Sequence, residues 1–471
     1  MRIGRAFARL LPPLVVAAVG VVALSRVIDA TSEPAGASES ADPSTSRLAT
    51  PVLSARRVVD ELIEPVGRAR LQEALQPLAS SMGASSCLRV TIDGDEVIDA
   101  NGTVPLIPAS TLKLLTASVA LDVMGPDRTA ETTVEAMAGP VGGVIAGDVW
   151  LVGGGDPLLA TEGYVKQFRR PQEPRTPLEA LADSIVAAGI TQITGRVLGD
   201  ESRFDTQRYV PSWPQRYINA REIGPMSALS VNDGFIDTAL TPAADPAASA
   251  AAELVGLLQQ RGVTVVAGSG SGAAPDGTVE LASIQGAPLR DVVGEDLKLS
   301  DNGTSELLLK EIGVAASGTG STLAGAAAVV AHLDEAGLPV EGLTLNDGSG
   351  LDRGNTATCE ILTAVLDRAG PGSDLTAQMA VAGESGTLDT RFDGTVVEGK
   401  VTAKTVSLSG VVGLAGFAEA TDGTDVTFAL LLNGPQSDQG FAIWMSLLTT
   451  LIEYPNLAGL EQLGPRAPAG G

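Results

Sequence analysis

The chain has 471 residues, with one histidine, two cysteines and a formal net charge of -25. One histidine cannot supply a multi-histidine zinc site, and two cysteines exclude zinc ribbons and iron–sulfur clusters. The negative charge opposes binding to nucleic acid or to an anionic membrane surface, because both repel an acidic protein. A Ser-His-Asp triad is open only if His332 is its base. At roughly 150 residues per domain, we expect two or three domains.

The start of the chain has the pattern of an export segment. Three arginines within the first nine residues precede an uncharged run from Leu10 to Leu24. As a helix this run would be about 22 Å long, which is shorter than the roughly 30 Å hydrocarbon core of a bilayer. We therefore expect residues 1–30 to be a signal peptide, with an uncleaved membrane anchor as the alternative. Residues 31–51 are rich in Ser, Thr, Ala and Pro and predict a flexible linker.

Ordered structure is predicted to follow this linker. Apolar residues from Ala55 to Ala79 recur with helical spacing, and we expect Pro65 to divide that helix. The segment from Leu88 to Ile92 alternates between apolar and polar residues and leads into Asp93-Gly94, which indicates a β-hairpin. A helix is then predicted from Pro108 to Met124.

The character of the sequence changes between residues 127 and 283. Short apolar segments there alternate with glycine and proline turns, which predicts short strands folded as an insertion with small cores of its own. Helical spacing returns after Asp291, and the segment from Val396 to Leu432 alternates as antiparallel strands do. Residues 461–471 are expected to be a disordered tail.

Ser110 and Lys113 lie three residues apart at the start of the helix predicted from Pro108. Residues with this spacing share one helix face, so we expect the lysine amine to reach the serine hydroxyl. A neighbouring base makes serine a good nucleophile, and burial beside a helix N-terminus favours the neutral amine that can act as that base. The backbone N–H of Ser110 would also be available to an oxyanion. Taken alone, such a pair is more often an ordinary helix-start serine and a solvated lysine.

Lys298, Ser300 and Asn302 form a second cluster, at the start of another predicted helix. A hydroxyl and an amide two residues apart can point into one cleft, where the serine relays a proton and the amide binds a carbonyl. Helix capping is the ordinary explanation for both residues. The similar pair Ser230 and Asn232 has no lysine nearby and lies in a predicted turn, so we discount it.

Lys404 and Thr405 form a third cluster, on a predicted strand. A lysine and a threonine there can bind a carboxylate by charge and hydrogen bond, and the backbone N–H of Ser407 can contribute to an oxyanion hole. A lone strand lysine usually faces solvent. The three clusters together, in this order along the chain, favour acyl transfer by a Ser-Lys mechanism over three separate coincidences.

The three clusters resemble the motifs of penicillin-binding proteins and serine β-lactamases. The long insertion between the first two is similar to that of the D-alanyl-D-alanine carboxypeptidase/endopeptidase family, which are penicillin-binding proteins of low molecular mass and class C type. Four further segments carry the same resemblance: LVGGGDP (151–157), ALSVNDG (228–234), NDGSGLDRGN (346–355) and SLSGVVGLAGF (407–417). The resemblance covers most of the chain from about residue 85 to residue 435.

This resemblance implies an α/β (α+β) fold like the transpeptidase domain of penicillin-binding proteins and serine β-lactamases. An antiparallel sheet would be flanked by helices, with a large β-rich insertion. Residues 52–126 and 284–460 would form the discontinuous catalytic domain, and residues 127–283 would form the inserted part.

The resemblance also implies the chemical roles of the first two clusters. Ser110 would be the nucleophile that forms an acyl-enzyme with a D-alanyl carbonyl, and Lys113 would be its base. Ser300, helped by Lys298, would pass the proton to the departing amine. Water would then hydrolyse the acyl-enzyme, without a metal or another cofactor.

The remaining residues would bind the substrate, which the resemblance implies is a stem peptide of peptidoglycan. Asn302 would orient the acyl peptide, while Lys404 and Thr405 would bind the terminal carboxylate or the equivalent group of a β-lactam. The backbone N–H groups of Ser110 and Ser407 would form the oxyanion hole. The activity would trim stem peptides as a carboxypeptidase or open cross-links as an endopeptidase.

One residue departs from the family pattern, because Val406 occupies the position of the glycine that ends the third motif. A β-branched side chain there would tilt or exclude a substrate backbone if it projected toward it. An alternative function is therefore a catalytically impaired homologue that binds cell-wall peptides or acts as a scaffold. A Ser-Lys esterase or a β-lactamase, which would deacylate β-lactams quickly, is a third candidate.

Three remaining residues complete the predictions. Cys87 and Cys359 lie on either side of the insertion, so a disulfide between them would join the two halves of the catalytic domain in an exported protein; two buried thiols are the alternative. His332 lies on a helical stripe and is expected to be structural. We expect the protein to work outside the cytoplasm, secreted or anchored to the bacterial membrane, with peptidoglycan stem peptides and β-lactams as its ligands.

Overall fold

The fold is taken from a computed structural model that describes residues 60–168 and 173–455. The predicted signal peptide or anchor (1–30), the linker (31–51) and the tail (461–471) lie outside the described residues. Within the two described ranges, every helix is too short or too polar to cross a membrane.

The first described segment contains two helices and a hairpin. Its elements are α1 (Asp60–Ser80), β1 (Ser86–Ile92), β2 (Asp95–Ala100), a short 3₁₀ turn (Ala109–Leu112) and α2 (Lys113–Met124). Asp93 and Gly94 both have positive φ and form the turn between β1 and β2, which confirms the predicted hairpin. The expectation that Pro65 divides the first helix is wrong, because α1 continues through it. Pro65 lies close to the helix start, where it removes a single helical hydrogen bond.

The middle segment is built mainly from short strands. Its elements are β3 (Thr129–Ala136), β4 (Val144–Ile145), β5 (Val149–Val152), β6 (Leu159–Ala160), α3 (Glu162–Phe168), β7 (Thr176–Pro177), α4 (Leu178–Ala187), β8 (Gln192–Ile193), β9 (Val197–Asp200), α5 (Gln215–Ala220), α6 (Pro246–Gln260), β10 (Thr264–Val265), β11 (Ser269–Ser271) and β12 (Val279–Pro288). Five of them form a mixed sheet in the order β11-β9-β5-β3-β12. Thr129 at the start of β3 pairs with Pro288 at the end of β12, so the chain enters and leaves this segment at one place.

The last segment contains a group of helices and then a run of antiparallel strands. Its elements are α7 (Leu289–Leu299), α8 (Asn302–Ser317), α9 (Thr322–Glu335), α10 (Cys359–Ala369), β13 (Ala380–Val381), β14 (Val401–Leu408), β15 (Val411–Glu419), β16 (Asp425–Asn433) and α11 (Gly440–Ile452). The strands predicted between Val396 and Leu432 are β14, β15 and most of β16, joined in antiparallel register.

The largest sheet combines strands from both ends of the described chain. Its order is β13-β14-β15-β16-β1-β2, and every neighbouring pair is antiparallel. Side chains on successive residues point to opposite faces. Phe417 and Leu431 therefore pack with α2 and α7 to α10, whereas Phe428 and Leu430 pack with α1 and α11. The expected α/β (α+β) architecture, an antiparallel sheet flanked by helices, is confirmed.

Two sets of contacts hold distant segments of this fold together. The buried carboxylate of Glu311 on α8 pairs with Arg128, and also with Arg203 from the middle segment, each through a 2.7 Å contact to Oε2. A buried carboxylate needs such partners, since an unpaired one would be costly. Cys87 on β1 and Cys359 at the start of α10 form a disulfide between Cα atoms 6.1 Å apart, and both are buried.

Candidate active site

A cavity of about 310 Å³ opens beside strand β14 and brings residues from all three sequence clusters together. Its lining includes Ser110, Ser300, Asn302 and residues 405–408. Among the described residues, strand β13 pairs with β14 only at Thr402 and Ala403, and residues 405–408 beyond this pairing line the cavity. A cavity of this size can hold the end of a peptide.

Ser110 lies in the 3₁₀ turn that precedes α2, half-buried at the cavity wall. The residue before it, Ala109, has a φ of 41°, which is an uncommon conformation for a residue with a side chain. Gly350 lies directly on this turn, because a Cβ there would come within 1.9 Å of the Ala109 carbonyl oxygen. Strained backbone of this kind is concentrated at functional sites.

The Lys113 amine lies between this serine and two hydrogen-bond acceptors. Its Nζ is 3.5 Å from Ser110 Oγ, and it donates to Asn302 Oδ1 at 2.8 Å and to the Ser349 carbonyl at 2.7 Å. The side chain is completely buried. A neutral amine has two N–H bonds, and the two acceptors satisfy both, which leaves the nitrogen lone pair for the serine proton.

Burial lowers the pKa of Lys113 below its ordinary value, because the charged form loses its hydration. Four nearby carboxyl groups oppose this shift; they belong to Asp296, Glu306, Asp347 and Asp301. The net effect favours the neutral amine that a base requires. The 3.5 Å separation is long for proton transfer, but catalytic hydrogen bonds commonly tighten when substrate binds.

Ser300 and Asn302 flank the junction between α7 and α8. Ser300 ends α7 with a φ of 63° and lines the cavity. The cap of α8 is Asp301, whose carboxylate accepts from the Thr304 N–H at 2.6 Å. The side chain of Asn302 instead connects two other segments of the chain. Its Nδ2 donates to the Glu222 carbonyl at 2.8 Å, and its Oδ1 accepts from Lys113. Capping therefore does not account for either side chain.

The third cluster divides between the two faces of β14. Lys404 is completely buried and donates to the Thr405 carbonyl at 3.0 Å. Burial, followed by the positive charge of Lys113, lowers the pKa of Lys404 well below its ordinary value. Thr405 lines the cavity with its Oγ1 2.8 Å from Thr387 Oγ1, and Ser407 is exposed at the cavity wall.

Val406 lies next to the cavity, but its side chain is only 1% exposed. It packs with Ala109 and Val411. Its partner across the sheet is Gly413, and a Cβ at that glycine would lie 3.6 Å from Val406 Cβ. The β-branched side chain is therefore packed against the residue that precedes Ser110, and almost none of it is exposed in the cavity.

Like Lys113 and Lys404, Lys298 is not among the residues that line the cavity. It lies in the last turn of α7, and its Cγ packs against Gly386. His332 is also remote from the chemistry proposed for this cavity, with its Nε2 3.0 Å from Asp122 Oδ2 on the protein surface.

The loop of residues 346–355 (NDGSGLDRGN) provides a backbone carbonyl that binds the Lys113 amine. The sequence analysis noted this segment but did not predict that it belongs to the site. Glu306 on α8 accepts from the backbone N–H groups of Gly348 and Ser349 at 3.0 and 2.8 Å, and the Ser349 carbonyl accepts from Lys113. Asp347 in the same loop accepts from Trp213 Nε1 at 2.8 Å. Two buried carboxyl groups thus fix the carbonyl that orients the lysine.

Three other lining residues were also missed, because no local pattern marks them. Tyr217 and Glu222 come from the middle segment, and Arg391 comes from the loop before β14. Across the described residues, no group of three or more His, Cys, Asp or Glu side chains is arranged to hold a metal ion.

Comparisons with known proteins give a family match and curated relatives. The sequence profile of the family described as D-Ala-D-Ala carboxypeptidase 3 (S13) matches residues 68–245 and 243–447. A D-alanyl-D-alanine carboxypeptidase of Actinomadura sp. (strain R39) is 30% identical over 77% of this chain and 80% of its own. A carboxypeptidase of Mycobacterium tuberculosis is 32% identical over 73% of this chain and 74% of its own.

A solved structure shows the same fold. The crystal structure of penicillin-binding protein 4 from Haemophilus influenzae matches with a TM-score of 0.68 at 20% identity, covering 82% of this chain and 99% of that one. The same protein in complex with a β-lactam matches with a TM-score of 0.61 at 21% identity, over 82% of this chain and 99% of that one.

Proposed function

The chain belongs to the D-Ala-D-Ala carboxypeptidase 3 (S13) family and is a peptidase, and from this premise we propose that Ser110 is its nucleophile. The substrate would be a peptidoglycan stem peptide that ends in D-Ala-D-Ala. The observation that carries the proposal is the environment of Lys113, a buried amine whose two N–H bonds have acceptors and whose third neighbour is the Ser110 hydroxyl.

In the proposed acylation, Ser110 Oγ attacks the carbonyl carbon of the penultimate D-alanine while Lys113 takes the hydroxyl proton. The backbone N–H groups of Ser110 and Ser407 bind the developing oxyanion. The C–N bond then breaks, and the proton held by Lys113 passes through the Ser300 hydroxyl to the departing amine, which leaves as D-alanine and returns Lys113 to its neutral form. Ser300 suits this role because it lines the cavity.

Hydrolysis of the acyl-enzyme completes the proposed cycle. Water attacks the ester carbonyl, Lys113 accepts a proton from that water, and the proton returns to Ser110 as its oxygen leaves. Asn302 orients the acyl peptide, and Thr405 contacts the terminal carboxylate from the cavity wall. Lys404, which is buried beside Thr405, donates to the Thr405 carbonyl and so holds in place the strand segment that contacts the carboxylate. The same serine would be acylated by a β-lactam, as in penicillin-binding proteins generally.

We infer that the substrate places the enzyme outside the cytoplasm, because peptidoglycan is assembled there. Cleavage of cross-links as an endopeptidase is part of the same proposal, since the same acyl-enzyme would form from a D-alanyl carbonyl whose leaving amine belongs to a neighbouring peptide. The disulfide between Cys87 and Cys359 fits an oxidising compartment.

Covalent labelling of the purified protein with a fluorescent penicillin tests the nucleophile. We expect one label per chain for the wild type and none for Ser110→Ala. Ser118→Ala, which changes a serine of α2 outside the cavity lining, should label normally and is the matched control. Equal labelling of the Ser110→Ala protein would refute the assignment.

A second measurement separates the proposed hydrolase from a peptide-binding homologue that acylates without turnover. Release of D-alanine from an acyl-D-Ala-D-Ala peptide, at more than one equivalent per chain, is expected for the hydrolase. A single equivalent would support the impaired homologue that Val406 suggested, and rapid turnover of penicillin instead would support a β-lactamase.

A further inference from the structure

Residues 212–223, which include helix α5, connect the middle segment to the parts of the chain around Lys113, and we call them the bridging segment. Three of its side chains are buried in one apolar cluster with a leucine of α8 and a leucine of the loop at 346–355; the five residues are Trp213, Tyr217, Ile223, Leu307 and Leu351. Helix α8 and this loop each supply one hydrogen-bond acceptor to the Lys113 amine. The bridging segment is therefore packed against both elements that orient the amine.

The first acceptor, the Ser349 carbonyl, belongs to a loop that is folded around the carboxylate of Asp347. This carboxylate accepts from two backbone N–H groups of the same loop, at 2.9 and 2.6 Å. It also accepts from Trp213 Nε1 at 2.8 Å, which is a contact from the bridging segment. Asp347 is completely buried, and hydrogen bonds are stronger in such a low-dielectric interior. The indole N–H of Trp213 thus helps to fix the loop that presents the Ser349 carbonyl to Lys113.

The same loop supports the turn that carries Ser110. A Cβ at Gly350 would come within 1.9 Å of the Ala109 carbonyl oxygen, so the two backbones are in direct contact. Thr116 Oγ1 on α2 donates to the Gly348 carbonyl at 3.0 Å. A shift of the loop would therefore displace the hydroxyl of Ser110 and the amine that faces it together.

The second acceptor is Asn302 Oδ1, and the bridging segment determines which way this amide is turned. Asn302 Nδ2 donates to the Glu222 carbonyl at 2.8 Å, and the Glu222 N–H is itself held by the Tyr217 carbonyl at 3.0 Å. A carbonyl oxygen can only accept, so the NH₂ side of the amide must face Glu222 and its oxygen must face Lys113. With the amide reversed, its N–H would occupy the lysine lone pair that has to receive the Ser110 proton.

We propose that the bridging segment is a positioning element of the acylation step, because it sets the orientation of both acceptors that align the Lys113 amine with Ser110. Trp213 acts through Asp347 and the Ser349 carbonyl, and the Glu222 carbonyl acts through Asn302. The inference rests on the proposed function, since it assumes that Lys113 is the base. The middle segment then takes part in the reaction itself, beyond forming part of the cavity wall.

The substitution Trp213→Phe tests this role, because it keeps an aromatic ring in the apolar cluster and removes the N–H that donates to Asp347. Stopped-flow acylation of the full-length protein by a fluorescent penicillin gives the limiting rate constant and the dissociation constant of the non-covalent complex separately. We expect the rate constant to fall about five- to fiftyfold and the dissociation constant to change by less than about twofold, because a misplaced base slows proton transfer without removing a ligand contact. Misfolded chains would lower the amplitude of the reaction and leave its rate constant unchanged.

Tyr164→Phe is the matched control, because it removes another aromatic donor of the middle segment, whose hydroxyl bonds to Asp233 at 2.7 Å. Tyr164 does not line the active-site cavity, and we expect the rate constant of this variant to stay within about twofold of the wild type. An unchanged rate constant for Trp213→Phe would overturn the proposal. If Trp213→Phe gives no folded protein, Ser212→Ala decides, since it removes a hydrogen bond from the bridging segment to Asp352 of the same loop. Slower acylation by that variant supports the proposal, and unchanged acylation overturns it.

A double-mutant cycle with Asp347→Asn shows whether Trp213 acts through that carboxylate. If it does, the double variant should be no more than about twofold slower than the slower single variant, because residues that act as one unit are not additive. Two single effects that multiply in the double variant would contradict the route through Asp347.

Nuclear magnetic resonance of the lysines separates this inference from the assignment of Ser110. The chain has six lysines, so a protein labelled at lysine Cε gives few signals, and Lys113→Arg identifies the signal of Lys113. In the Ser110→Ala protein, we expect Trp213→Phe to shift this signal and to leave that of Lys166, an exposed lysine of α3, in place. A shifted Lys113 signal supports the inference even if Ser110 proves not to be the nucleophile. An unchanged Lys113 signal overturns it even if Ser110 is confirmed.

Discussion

The amine of Lys113 lies near three carboxyl groups that are themselves buried, those of Asp296, Glu306 and Asp347. Burial raises the pKa of Asp296 to about 7 and that of Glu306 to about 8. Glu306 is therefore mostly protonated at neutral pH, and it attracts the ammonium form of Lys113 less than an ionised group would. A nearby acid that is itself neutral therefore helps to lower the pKa of Lys113, in the direction that favours the neutral amine.

The substitution Glu306→Gln tests this protonation state through stability. In the folded protein the pKa of Glu306 is raised from its ordinary 4.5 to about 8, so the folded state binds this proton more tightly than the unfolded chain does. Relative to the variant, the wild type should lose stability as the pH rises from about 4.5 to about 8, with no further loss above that. Glutamine keeps an acceptor for the two backbone N–H groups and has no proton to release.

Urea denaturation at pH 5, 7 and 9 measures this difference. Glu335→Gln, at the exposed end of α9, is the matched control and should differ from the wild type by the same small amount at each pH. A difference between Glu306→Gln and the wild type that is constant over this range would show that Glu306 is ionised throughout.

At the scale of the element, strand β14 contributes both cavity-lining and fully buried side chains to the site. Alternate side chains of a strand point to opposite faces, so Thr405 and Ser407 share one face and Lys404 and Val406 share the other. Val406 lines the cavity although it is almost completely buried, whereas Lys404 is buried and does not line it. Val406 pairs with Gly413 across the sheet, and its buried side chain packs with Ala109 and Val411. The Val406 side chain, which from the sequence was expected to obstruct the substrate, therefore makes a packing contact.

The substitution Val406→Gly should therefore weaken the protein more than it helps the reaction. Loss of the buried side chain, with a glycine in a strand, is expected to reduce the free energy of unfolding by about 1–3 kcal/mol. Val406→Ala isolates the packing loss from the added backbone freedom. We expect the rate of penicillin acylation to change by less than about threefold in both variants. A tenfold faster acylation of Val406→Gly would mean that the valine does obstruct the ligand.

At the scale of the whole molecule, the site depends on contacts between segments that are far apart in sequence. Trp213 from the middle segment donates to Asp347, and Glu222 from the same segment accepts from Asn302. The predicted boundaries of that insertion, at 127 and 283, remain a prediction. Its contribution to the cavity wall nevertheless makes it part of the substrate-binding surface that we propose.

The disulfide between Cys87 and Cys359 should be a major source of stability, because it closes a loop with a sequence separation of 272 residues. Replacing both cysteines by alanine is expected to lower the free energy of unfolding by roughly 2–5 kcal/mol, chiefly by enlarging the unfolded ensemble. Urea denaturation measures the loss. Penicillin labelling of the folded variant should persist, since neither cysteine lines the cavity. Identical unfolding of the wild type with and without reductant would contradict this expectation.

The sequence predictions were accurate where residues that are close together in the chain interact, and less accurate where distant segments meet. Ser110 and Lys113 could be paired from their spacing, because helix geometry fixes which neighbours share a face. The antiparallel strands near the end of the chain could be predicted for a similar reason. The placement of Lys298 in the cavity could not be judged in this way, since the last turn of α7 directs it toward Gly386 instead.

The sequence by itself determined the elements, the three clusters and the family to which they point, because spacing and periodicity are local properties of a chain. Tertiary structure alone decided that Ser349 and Glu306 orient the lysine, that Val406 is buried and that Arg391 reaches the cavity. These depend on which distant segments meet and which groups lose water when they do. Burial and long-range contact set the charge of each group, and neither can be read from spacing.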